Sequence, residues 1–420
     1  MDIANGPPNG PPNGPPNGPL NGPLSDIRVL ELGHVIAAPM TGALLADFGA
    51  DVIKIESPRQ GDMMRELGAK ASDGIGVWWK SLARSKKLLS LDWKTDEGRA
   101  ILRRLVESAQ VLSENYRPGV LERAGLSPDV LHEWNPDLVI LRVSGYGQTG
   151  PDSALPGFGR AGEAMSGLAD LIGFSDNAPM HPGFPAADST TGLMGAFGVM
   201  LALHAVQTGQ SRGQVVDLAI FEPLLRLIDY HVPTRSGTGN MVTRNGLQQP
   251  NSFVPAGVFR AKDGKWITIS AGNAVTARRL LAAAGGQDWA DDPRFQTLSG
   301  FAENMDEILD RISGFIAEHD SAHVIAHFQR HDAVAVLVYD VDDILADPQI
   351  AARGDIISFD GDDTKVVGPV PRLEQTPGRV RWLGKGEIGA DSRAVLSDLG
   401  LDDAAISKLL KAGIIADPSA

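Results

Sequence analysis

Residues 27–56 read IRVLELGHVIAAPMTGALLADFGADVIKIE, and this stretch decides the fold class of the chain. The pattern predicts a buried strand at 27–33, a helix at 40–49 closed by Gly49, and a second strand at 50–56. A strand, a helix and a strand at this spacing are typical of a parallel sheet with helices on its faces. The stretch therefore predicts an α/β fold.

The same alternation continues along the chain. Residues 96–109, DEGRAILRRLVESA, have the apolar spacing of an amphipathic helix, and residues 110–115 and 137–145 have the pattern of buried strands. We therefore expect one large α/β domain over residues 25–230.

The pattern changes after about residue 250. Residues 255–272 predict a hairpin that turns at KDGK, since Asp-Gly is a strong turn signal. Helical patterns follow at 275–285 and 303–331, then a strand at 334–341, and together these segments predict a smaller α+β domain. Residues 390–415 predict two short helices that each end at a glycine.

The predicted organisation has six parts. They are a tail (1–24), the large domain (25–230), a linker (231–252), the small domain (253–355), a second linker (356–374) and a segment that returns to the large domain (375–420). The tail repeats Asn-Gly-Pro every four residues, has no hydrophobic face to bury, and is expected to be disordered.

The composition limits the classes of partner. A net charge of −14 argues against a nucleic-acid or anionic membrane surface, which would need a basic footprint. With no cysteine, the chain cannot use a thiolate nucleophile or Cys-ligated metal. No secretory signal pattern is recognisable, and the apolar run at 193–206 is too short to span a bilayer, so we expect a cytoplasmic protein.

Two motifs allow a binding interpretation and a plain structural one. GYGQTG at 145–150 matches G-x-G-x-x-G, but Pro151 follows and no helix opens there, which argues against a dinucleotide site. A glycine loop after a strand is nevertheless where α/β sheets place ligands. Four histidines recur every fourth residue from His319 to His331 and could bind a metal or simply line a solvated helix face; we expect no metal.

Asp188 is the only charge in PAADSTTGLMGAFGVMLALHAVQTG, residues 185–209. It could be the N-cap of the apolar helix that follows, where its carboxylate would accept backbone N–H bonds. It could also be a nucleophile, because the preceding loop is apolar and the residues after it, Ser189 to Gly192, are small enough for a ligand to approach.

Blocks on both sides of Asp188 resemble the class III CoA-transferase family, which contains the formyl-CoA transferases, the carnitine CoA-transferases and the 2-methylacyl-CoA racemases. The matching blocks include the stretch 27–62, ENYRPGVLERAGL at 114–126, VSGYGQTGP at 143–151 and ADSTTGLMGAFGVMLALHAVQTG at 187–209. The resemblance extends over about residues 26–415. It implies a Rossmann-like large domain, a small domain, and a homodimer whose two chains interlock.

The resemblance also assigns roles. It implies that Asp188 attacks the thioester of a donor acyl-CoA and passes CoA to a carboxylic acid acceptor through a mixed anhydride and an aspartyl-CoA thioester. It implies no other cofactor. The loop residues Gly145, Tyr146 and Gly147 would stabilise oxyanions. The residues expected to bind CoA are His34, Val35, Lys86, Lys87, Asn115, Arg117 and Arg123.

The chain departs from family patterns in places. Ile36, Ser57 and Ser144 replace a Gln, an Arg and a Lys of other members, which weakens an assignment to formate and oxalate. Phe158 and Gly159 stand where the racemase branch has His and Asp, and neither can move a proton, which favours transfer over racemisation.

Three alternatives remain open at this stage. The chain could be a 2-methylacyl-CoA racemase or a non-catalytic CoA-binding subunit. Arg226, Arg235 and Arg244 could hold the second carboxylate of a dicarboxylate, or they could be linker charges. Arg123 could pair with Glu114 or Glu122 instead of binding CoA.

Overall fold

The computed structural model describes residues 22–244 and 254–418. The predicted tail up to residue 21, and residues 245–252 of the predicted first linker, lie outside this description. By internal contacts the chain divides into two units. Unit 1 comprises Met1–Ser166, Pro182–Leu227 and Pro348–Ala420, and unit 2 comprises Gly167–His181 and Ile228–Asp347.

Unit 1 is built on a six-stranded parallel sheet. Its strands, numbered with all others in chain order, are β1 (Arg28–Glu31), β2 (Asp51–Glu56), β3 (Lys87–Ser90), β4 (Val111–Glu114), β5 (Val139–Ser144) and β6 (Val215–Ala219). The strand order is β3-β2-β1-β4-β5-β6, with every neighbouring pair parallel. The order therefore reverses between β1 and β4, which creates a topological switch point. The predicted α/β class is confirmed, although β3 and β6 were not predicted.

Unit 1 also contains helices, several of which pack on the two faces of this sheet. They are α1 (Ala37–Asp47), α2 (Val77–Leu82), α3 (Asp96–Glu107), α4 (Val120–Arg123), α5 (Pro128–Trp134), α6 (Gly159–Met165), α8 (Ala186–Gln207), α9 (Glu222–Leu227), α17 (Pro348–Arg353), α18 (Ser392–Asp398) and α19 (Asp403–Lys411). One core joins Leu30 and Ile53 of the sheet to Leu102 of α3 and to Leu396 and Ile406 of the last two helices. The other core joins alternate strand residues to α1 and α8.

Helix α8 is the longest helix of the described residues, with 22 residues. Its sequence is apolar on nearly all sides, but only eight of these residues are buried. By length and composition α8 is long and apolar enough to cross a membrane, a property that core helices of globular proteins also have. The buried side packs on α1 and on β5. The other side is exposed, with Leu193, Phe197 and Leu201 each more than half accessible.

The second predicted linker, 356–374, is not purely a connection. It contains the antiparallel strands β10 (Ile356–Phe359) and β11 (Asp362–Val367), joined at Asp360-Gly361. Gly361 has a φ of +79°, the left-handed conformation that an Asp-Gly turn supplies. Lys80 of α2 lies 2.6 Å from Asp362 and so ties this hairpin to unit 1.

Unit 2 has an antiparallel sheet of order β7-β8-β9, from Ala256–Arg260, Trp266–Ser270 and Val334–Leu337. Its helices are α7 (Leu168–Leu171), α10 (His231–Thr238), α11 (Ala274–Gly285), α12 (Gln287–Ala290), α13 (Leu298–Glu303), α14 (Met305–Glu318), α15 (Ser321–Arg330) and α16 (Val341–Ala346). The predicted hairpin is confirmed, with Gly264 at a φ of +85° in the turn. Its core packs α11, α14 and α15 against one face of the sheet.

Residues 167–181 were predicted within the large domain but belong to unit 2. The reason is local hydrogen bonding. Arg244 donates to the Asp170 carboxylate at 2.9 Å and to the backbone carbonyls of Phe174 and Asn177 at 3.0 and 2.6 Å. The Arg244 guanidinium thus binds residues 170–177 to the part of unit 2 that begins at residue 228.

Candidate active site

A cavity of about 760 Å³ opens at the carboxyl edge of the parallel sheet of unit 1. Its walls are the segments that follow β1, β2, β4 and β5, together with a loop before α6 and the start of α8. The lining residues are His34 to Ala37, Gln60, Gly61, Met63, Glu66, Leu67, Asn115 to Pro118, Val143 to Gly145, Leu155, Gly157, Phe158, Asp188 and Ile220. The cavity therefore spans the switch point between β1 and β4, where doubly wound sheets bind ligands.

Asp188 lies on this wall, but not as the helix cap. Helix α8 begins at Ala186, so Asp188 is the third residue of its first turn, and Pro185 occupies the N-cap position without a side-chain hydrogen bond. The cap function is supplied by Glu163 of α6, whose Oε1 accepts from the Ala186 N–H at 3.1 Å. Glu163 is fully buried, and its other oxygen lies 2.8 Å from Arg160. An external carboxylate thus satisfies the helix terminus, and the Asp188 side chain is left to face the cavity.

Glu163 could not be predicted as part of the site from the sequence. It is one acidic residue in GRAGEAM, and its contact with Ala186 joins positions 23 residues apart. A lone Glu in a run of small residues carries no recognisable signal for such a contact.

Glycines make room for Asp188 and fix its position. A Cβ at Gly159 would lie 2.2 Å from Asp188 Oδ2, so only glycine leaves the carboxylate where it is. Further along α8, a Cβ at Gly192 would lie 2.6 Å from the Met40 side chain, which shows how closely α8 approaches α1. Thr41 Oγ1 donates to the Gly192 carbonyl at 3.0 Å. The close helix pair therefore sets the distance of Asp188 from the loop after β1.

The electrostatics around Asp188 disfavour its charge. Burial, and after it the negative charge of Glu163, raise the pKa of Asp188 to about 6. No cation of the described residues forms an ion pair with this carboxylate. At neutral pH Asp188 is ionised, but it is held in a less favourable environment than water.

Asn115 joins the two sides of the switch point. Its Oδ1 accepts from the His34 N–H at 2.7 Å, and its Nδ2 donates to the His34 carbonyl at 2.8 Å. His34 Nε2 lies 2.7 Å from the hydroxyl of Tyr116. Burial, followed by the charge of Lys54, lowers the pKa of His34, so the ring is neutral at pH 7. His34, Asn115 and Tyr116 are thus joined by hydrogen bonds in one wall of the cavity.

The glycine loop reaches the cavity through its first residue. Gly145 lines the cavity, and a Cβ there would lie 2.7 Å from the Gly157 Cα, so the two backbones touch. Tyr146 and Gly147 are not among the lining residues. The loop is anchored behind them, where the Asp217 carboxylate accepts from the Gln148 N–H at 3.1 Å.

The structure does not bring Lys86 or Lys87 to the cavity. Lys86 is fully buried, and its Nζ donates to Glu31 Oε2 and to the Pro39 carbonyl, both at 2.7 Å. Burial is the main cause that lowers the pKa of Lys86 to about 8. Lys87 begins β3 and pairs with Asp51 at 2.8 Å, at the amino edge of the sheet and so opposite the cavity.

Two predicted arginines remain open to solvent. Arg117 lines the cavity and is exposed, and Arg123 is exposed further along, at the end of α4. The alternative partners suggested for Arg123 are engaged elsewhere, since Glu114 and Glu122 both lie 2.7 Å from Arg142.

Arg235 and Arg244 have local partners within unit 2, whereas Arg226 lies in α9 of unit 1 and does not line the cavity. Arg244 is bound to the 170–177 segment as described, and Arg235 donates to the Gly239 carbonyl. The histidine row stacks along α15, with ring centroids of His319 and His323 4.8 Å apart. His319 Nδ1 and His327 Nε2 each lie within 2.8 Å of a backbone carbonyl. Among residues 22–244 and 254–418, no group of three potential metal ligands converges.

The strand order and the position of the cavity define a doubly wound α/β protein with a cavity at the switch point, where proteins of this class bind ligands. Comparison with known proteins identifies the family within this class. Residues 24–392 match CoA-transferase family III. The chain therefore belongs to this family and is a CoA-transferase.

Three relatives illustrate the similarity. The chain is 40% identical to the succinyl-CoA–D-citramalate CoA-transferase of Chloroflexus aurantiacus over 377 residues, or 89% of this chain and 93% of the relative. It is 36% identical to the succinyl-CoA–L-malate CoA-transferase beta subunit of the same organism, over 93% of this chain and 97% of the relative. A solved CAIB/BAIF family protein from Brucella suis superposes with a TM-score of 0.79 at 29% identity, covering 90% of this chain and all of the other.

Proposed function

We propose that Asp188 is the nucleophile of a CoA transfer that proceeds through covalent enzyme intermediates. The observation that carries the proposal is a carboxylate on the wall of the switch-point cavity, given space by Gly159 and without a cation of the described residues to neutralise it. Such a carboxylate is ionised at neutral pH and loses little solvation when it attacks.

Each proposed step forms one bond at an acyl carbon and breaks another. An Asp188 oxygen attacks the thioester carbonyl of the donor, the C–S bond breaks, and a mixed anhydride and CoA thiolate result. The thiolate attacks the Asp188 carboxyl carbon and releases the donor acid as its carboxylate, leaving an aspartyl-CoA thioester. The acceptor carboxylate attacks that thioester, displaces the CoA thiolate and forms a second mixed anhydride. The thiolate then attacks the acceptor acyl carbon of this anhydride, which gives the new acyl-CoA and releases the Asp188 carboxylate.

Each attack develops an oxyanion that needs hydrogen-bond donors. We assign this role to main-chain groups of the glycine loop, with Gly145 in the cavity wall and Tyr146 and Gly147 setting the path of the loop. The Gly145–Gly157 contact supports the assignment, because a backbone held this tightly is pre-organised.

The CoA moiety is assigned to the opposite wall. His34 and Val35 would flank the pantetheine arm, and Asn115 would hold that wall in place. Arg117 and Arg123 are exposed cations, on and near the cavity wall, and would bind CoA phosphates. Lys86 and Lys87 are omitted from this set because of their positions in the fold.

For the substrates we propose succinyl-CoA as donor and a short dicarboxylate as acceptor. Both relatives described above are named for succinyl-CoA and for a hydroxylated dicarboxylate. A cytoplasmic location is proposed with this, since acyl-CoA thioesters are metabolites of the cell interior.

A homodimer with interlocked chains is also proposed. The exposed apolar side of α8 supports it, because Leu193, Phe197 and Leu201 form a patch that a monomer would leave in water. Light scattering of the purified protein tests this proposal, and a monomer at micromolar concentration would contradict it.

The test of the mechanism is capture of the acyl-enzyme. Incubation with succinyl-CoA followed by hydroxylamine should convert Asp188 to a hydroxamate that peptide mass spectrometry locates. Asp188→Asn and enzyme without donor are the controls. An unmodified Asp188 peptide in an enzyme that turns over would contradict the covalent mechanism.

A further inference from the structure

One wall of the cavity contains a backbone conformation that its residue does not favour. Val35, in the loop between β1 and α1, has a φ of +66°. A left-handed conformation is unfavourable for a β-branched residue, by about 1–3 kcal/mol, and persists only where the surroundings hold it. Val35 and its neighbour His34 line the cavity. Some contact must therefore hold this turn.

The contact comes from the loop after β2. Both carboxylate oxygens of Asp62 lie near the Val35 nitrogen, at 3.1 and 3.3 Å, and accept its N–H. Asp62 also accepts from the Met64 N–H at 2.9 Å and so caps the short 3-10 helix Met63–Glu66. Asp62 itself is buried and does not line the cavity, although Gly61 and Met63 on either side of it do.

A buried lysine completes the arrangement. Lys54 Nζ lies 2.7 Å from Asp62 Oδ2 and donates to the Gly33 carbonyl at 2.9 Å. Lys54 therefore binds the backbone at Gly33, the start of the 33–36 loop, and Asp62 binds it at Val35. Although burial opposes ionisation of both groups, the charge of Lys54 lowers the pKa of Asp62 to about 2. The pair is fully ionised at any pH where the enzyme would work.

Stability alone is a weak reason to keep such a pair. Replacing a buried ion pair with apolar groups of similar size is often neutral or stabilising, because desolvation offsets most of the Coulomb attraction. The directional contacts are what apolar groups could not replace. Two of them end on the backbone of residues 33–35, which forms the cavity wall.

We infer that Lys54 and Asp62 are positioning residues that hold Val35 in its left-handed conformation and thereby fix the wall against which the acyl-CoA thioester lies. Neither residue touches the substrate. The inference rests on the proposed function of the same cavity and adds two residues to it that act only through the backbone of residues 33–35.

The turn at Val35 also sets the geometry of Asp188. The chain passes directly from Val35 into Ile36 and α1, and α1 packs on α8 through Gly192, one helical turn after Asp188. A shift of the loop would therefore change the space between the thioester and the nucleophile. Misplacement by about 1 Å can reduce a rate by about 100-fold.

The test compares two double variants that bury no unpaired charge. Lys54→Met/Asp62→Asn keeps an oxygen that can accept from the Val35 N–H, whereas Lys54→Met/Asp62→Leu has a similar volume and no acceptor. Glu31, which pairs with Lys54 at 3.1 Å in the unmodified protein, keeps Lys86 as a partner in both variants. We expect kcat/KM for succinyl-CoA to fall less than about 10-fold in the Asn variant and about 100-fold in the Leu variant.

A third substitution separates positioning from general loss of structure. Val35→Gly removes the penalty of a positive φ, so the wall no longer depends on an acceptor to hold it. When Val35→Gly is added to both double variants, the difference between the Asn and Leu forms should shrink from about tenfold to about twofold. Loss of the cap at Met64 would not be relieved by Val35→Gly, so this change is specific to the turn.

Glu56→Gln is the matched control. Glu56 belongs to the same buried cluster, pairing with Arg65 and accepting from the Asp62 N–H, but it makes no hydrogen bond to residues 33–36. We expect its kcat/KM to change less than about threefold. Hydrogen exchange of the peptide containing residues 33–36 should be faster in the Leu variant and unchanged in Glu56→Gln.

The outcomes divide clearly. Equal activity losses in the Asn and Leu variants, or a difference that persists when Val35→Gly is present, would overturn the inference and leave the pair purely structural. If the unmodified enzyme shows no transfer with any donor, the proposed function fails instead. In that case exchange at residues 33–36 and calorimetric binding of CoA itself decide whether the pair positions the wall.

Discussion

The carboxyl end of β2 and the start of α8 each bury an aspartate beside the same cavity, and their environments are opposite. Asp62 accepts two backbone N–H groups and pairs with Lys54, and its pKa is lowered to about 2. Asp188 lies beside the buried Glu163 without a cation among the described residues, and its pKa is raised to about 6. The difference teaches that a carboxylate paired with a cation can hold the backbone in place, while a partly buried carboxylate without a cation has a raised pKa.

The largest effect is expected where reactivity is removed. Asp188→Asn should lower kcat for transfer from succinyl-CoA by at least about 10⁴-fold, because the amide cannot form the anhydride. Calorimetric binding of CoA should persist in the variant, since the shape of the wall is kept. Transfer activity within about tenfold of the unmodified enzyme would show that Asp188 is not the nucleophile.

Replacing each of the two aspartates with asparagine should change the stability of the protein in opposite directions. Asp62→Asn removes one of the two carboxylates that pair with Lys54 and leaves Glu31 at 3.1 Å, so the free energy of unfolding should fall by about 1–3 kcal/mol at pH 7. Asp188→Asn should raise the free energy of unfolding by about 3 kcal/mol at pH 7, since the pKa of Asp188 is raised from 3.8 to about 6 and one pKa unit corresponds to about 1.4 kcal/mol. Urea unfolding monitored by tryptophan fluorescence measures both.

The pH dependence of these effects also differs in direction. Since the folded pKa of Asp188 is raised, the unmodified protein should lose stability relative to Asp188→Asn as pH rises from about 4 through about 6. Because the folded pKa of Asp62 is lowered, its contribution is lost as pH falls from about 4 through about 2. Equal pH profiles for the two variants would contradict the contrast between the sites.

Crowding the unpaired carboxylate should have the next largest effect. Gly159→Ala places a methyl group 2.2 Å from the present position of Asp188 Oδ2, so the carboxylate must move. We expect kcat/KM to fall about 100-fold while the far-ultraviolet circular dichroism spectrum stays the same. Gly183→Ala is a suitable control, because a Cβ there meets no atom within 4 Å.

The smallest expected change tests the influence of Glu163. Glu163→Gln removes the negative charge next to Asp188 but keeps an oxygen that can cap Ala186. The pKa of Asp188 should fall, so the acid limb of the kcat/KM profile should move to lower pH by less than about one unit. Glu97→Gln, on the exposed first turn of α3, should leave the limb in place; a shift to higher pH in Glu163→Gln would contradict this assignment.

Much of unit 1 could be predicted because its strands are buried on both faces. The continuous apolar runs around Val29, Val52, Val111 and Val139 identify four of the six parallel strands. β3 was missed because it has only four residues, and β6 because its first residues are polar or exposed. The β10–β11 hairpin was missed because its Asp-Gly signal stood among so many Gly, Asp and Pro residues that the segment looked like a connection.

Apart from Asp188, which stands out as the one charge at the head of an apolar helix, the site residues that could be predicted are those that follow strands. His34, Asn115 and Gly145 come soon after β1, β4 and β5, so the fold brings them to one edge. Lys86 and Lys87 were expected from the family resemblance to bind CoA, but Glu31 and Asp51 from other strands bind them. Such pairing depends on tertiary contacts that residue spacing does not encode.

The rim of the cavity has a further consequence for ligand binding. Met63, Leu155 and Phe158 line the cavity but are 65%, 50% and 75% exposed to water. A bound acyl-CoA arm would cover these side chains and release the water around them. The heat capacity of the system should then fall on binding, so the enthalpy measured by calorimetry should become more negative as the temperature rises.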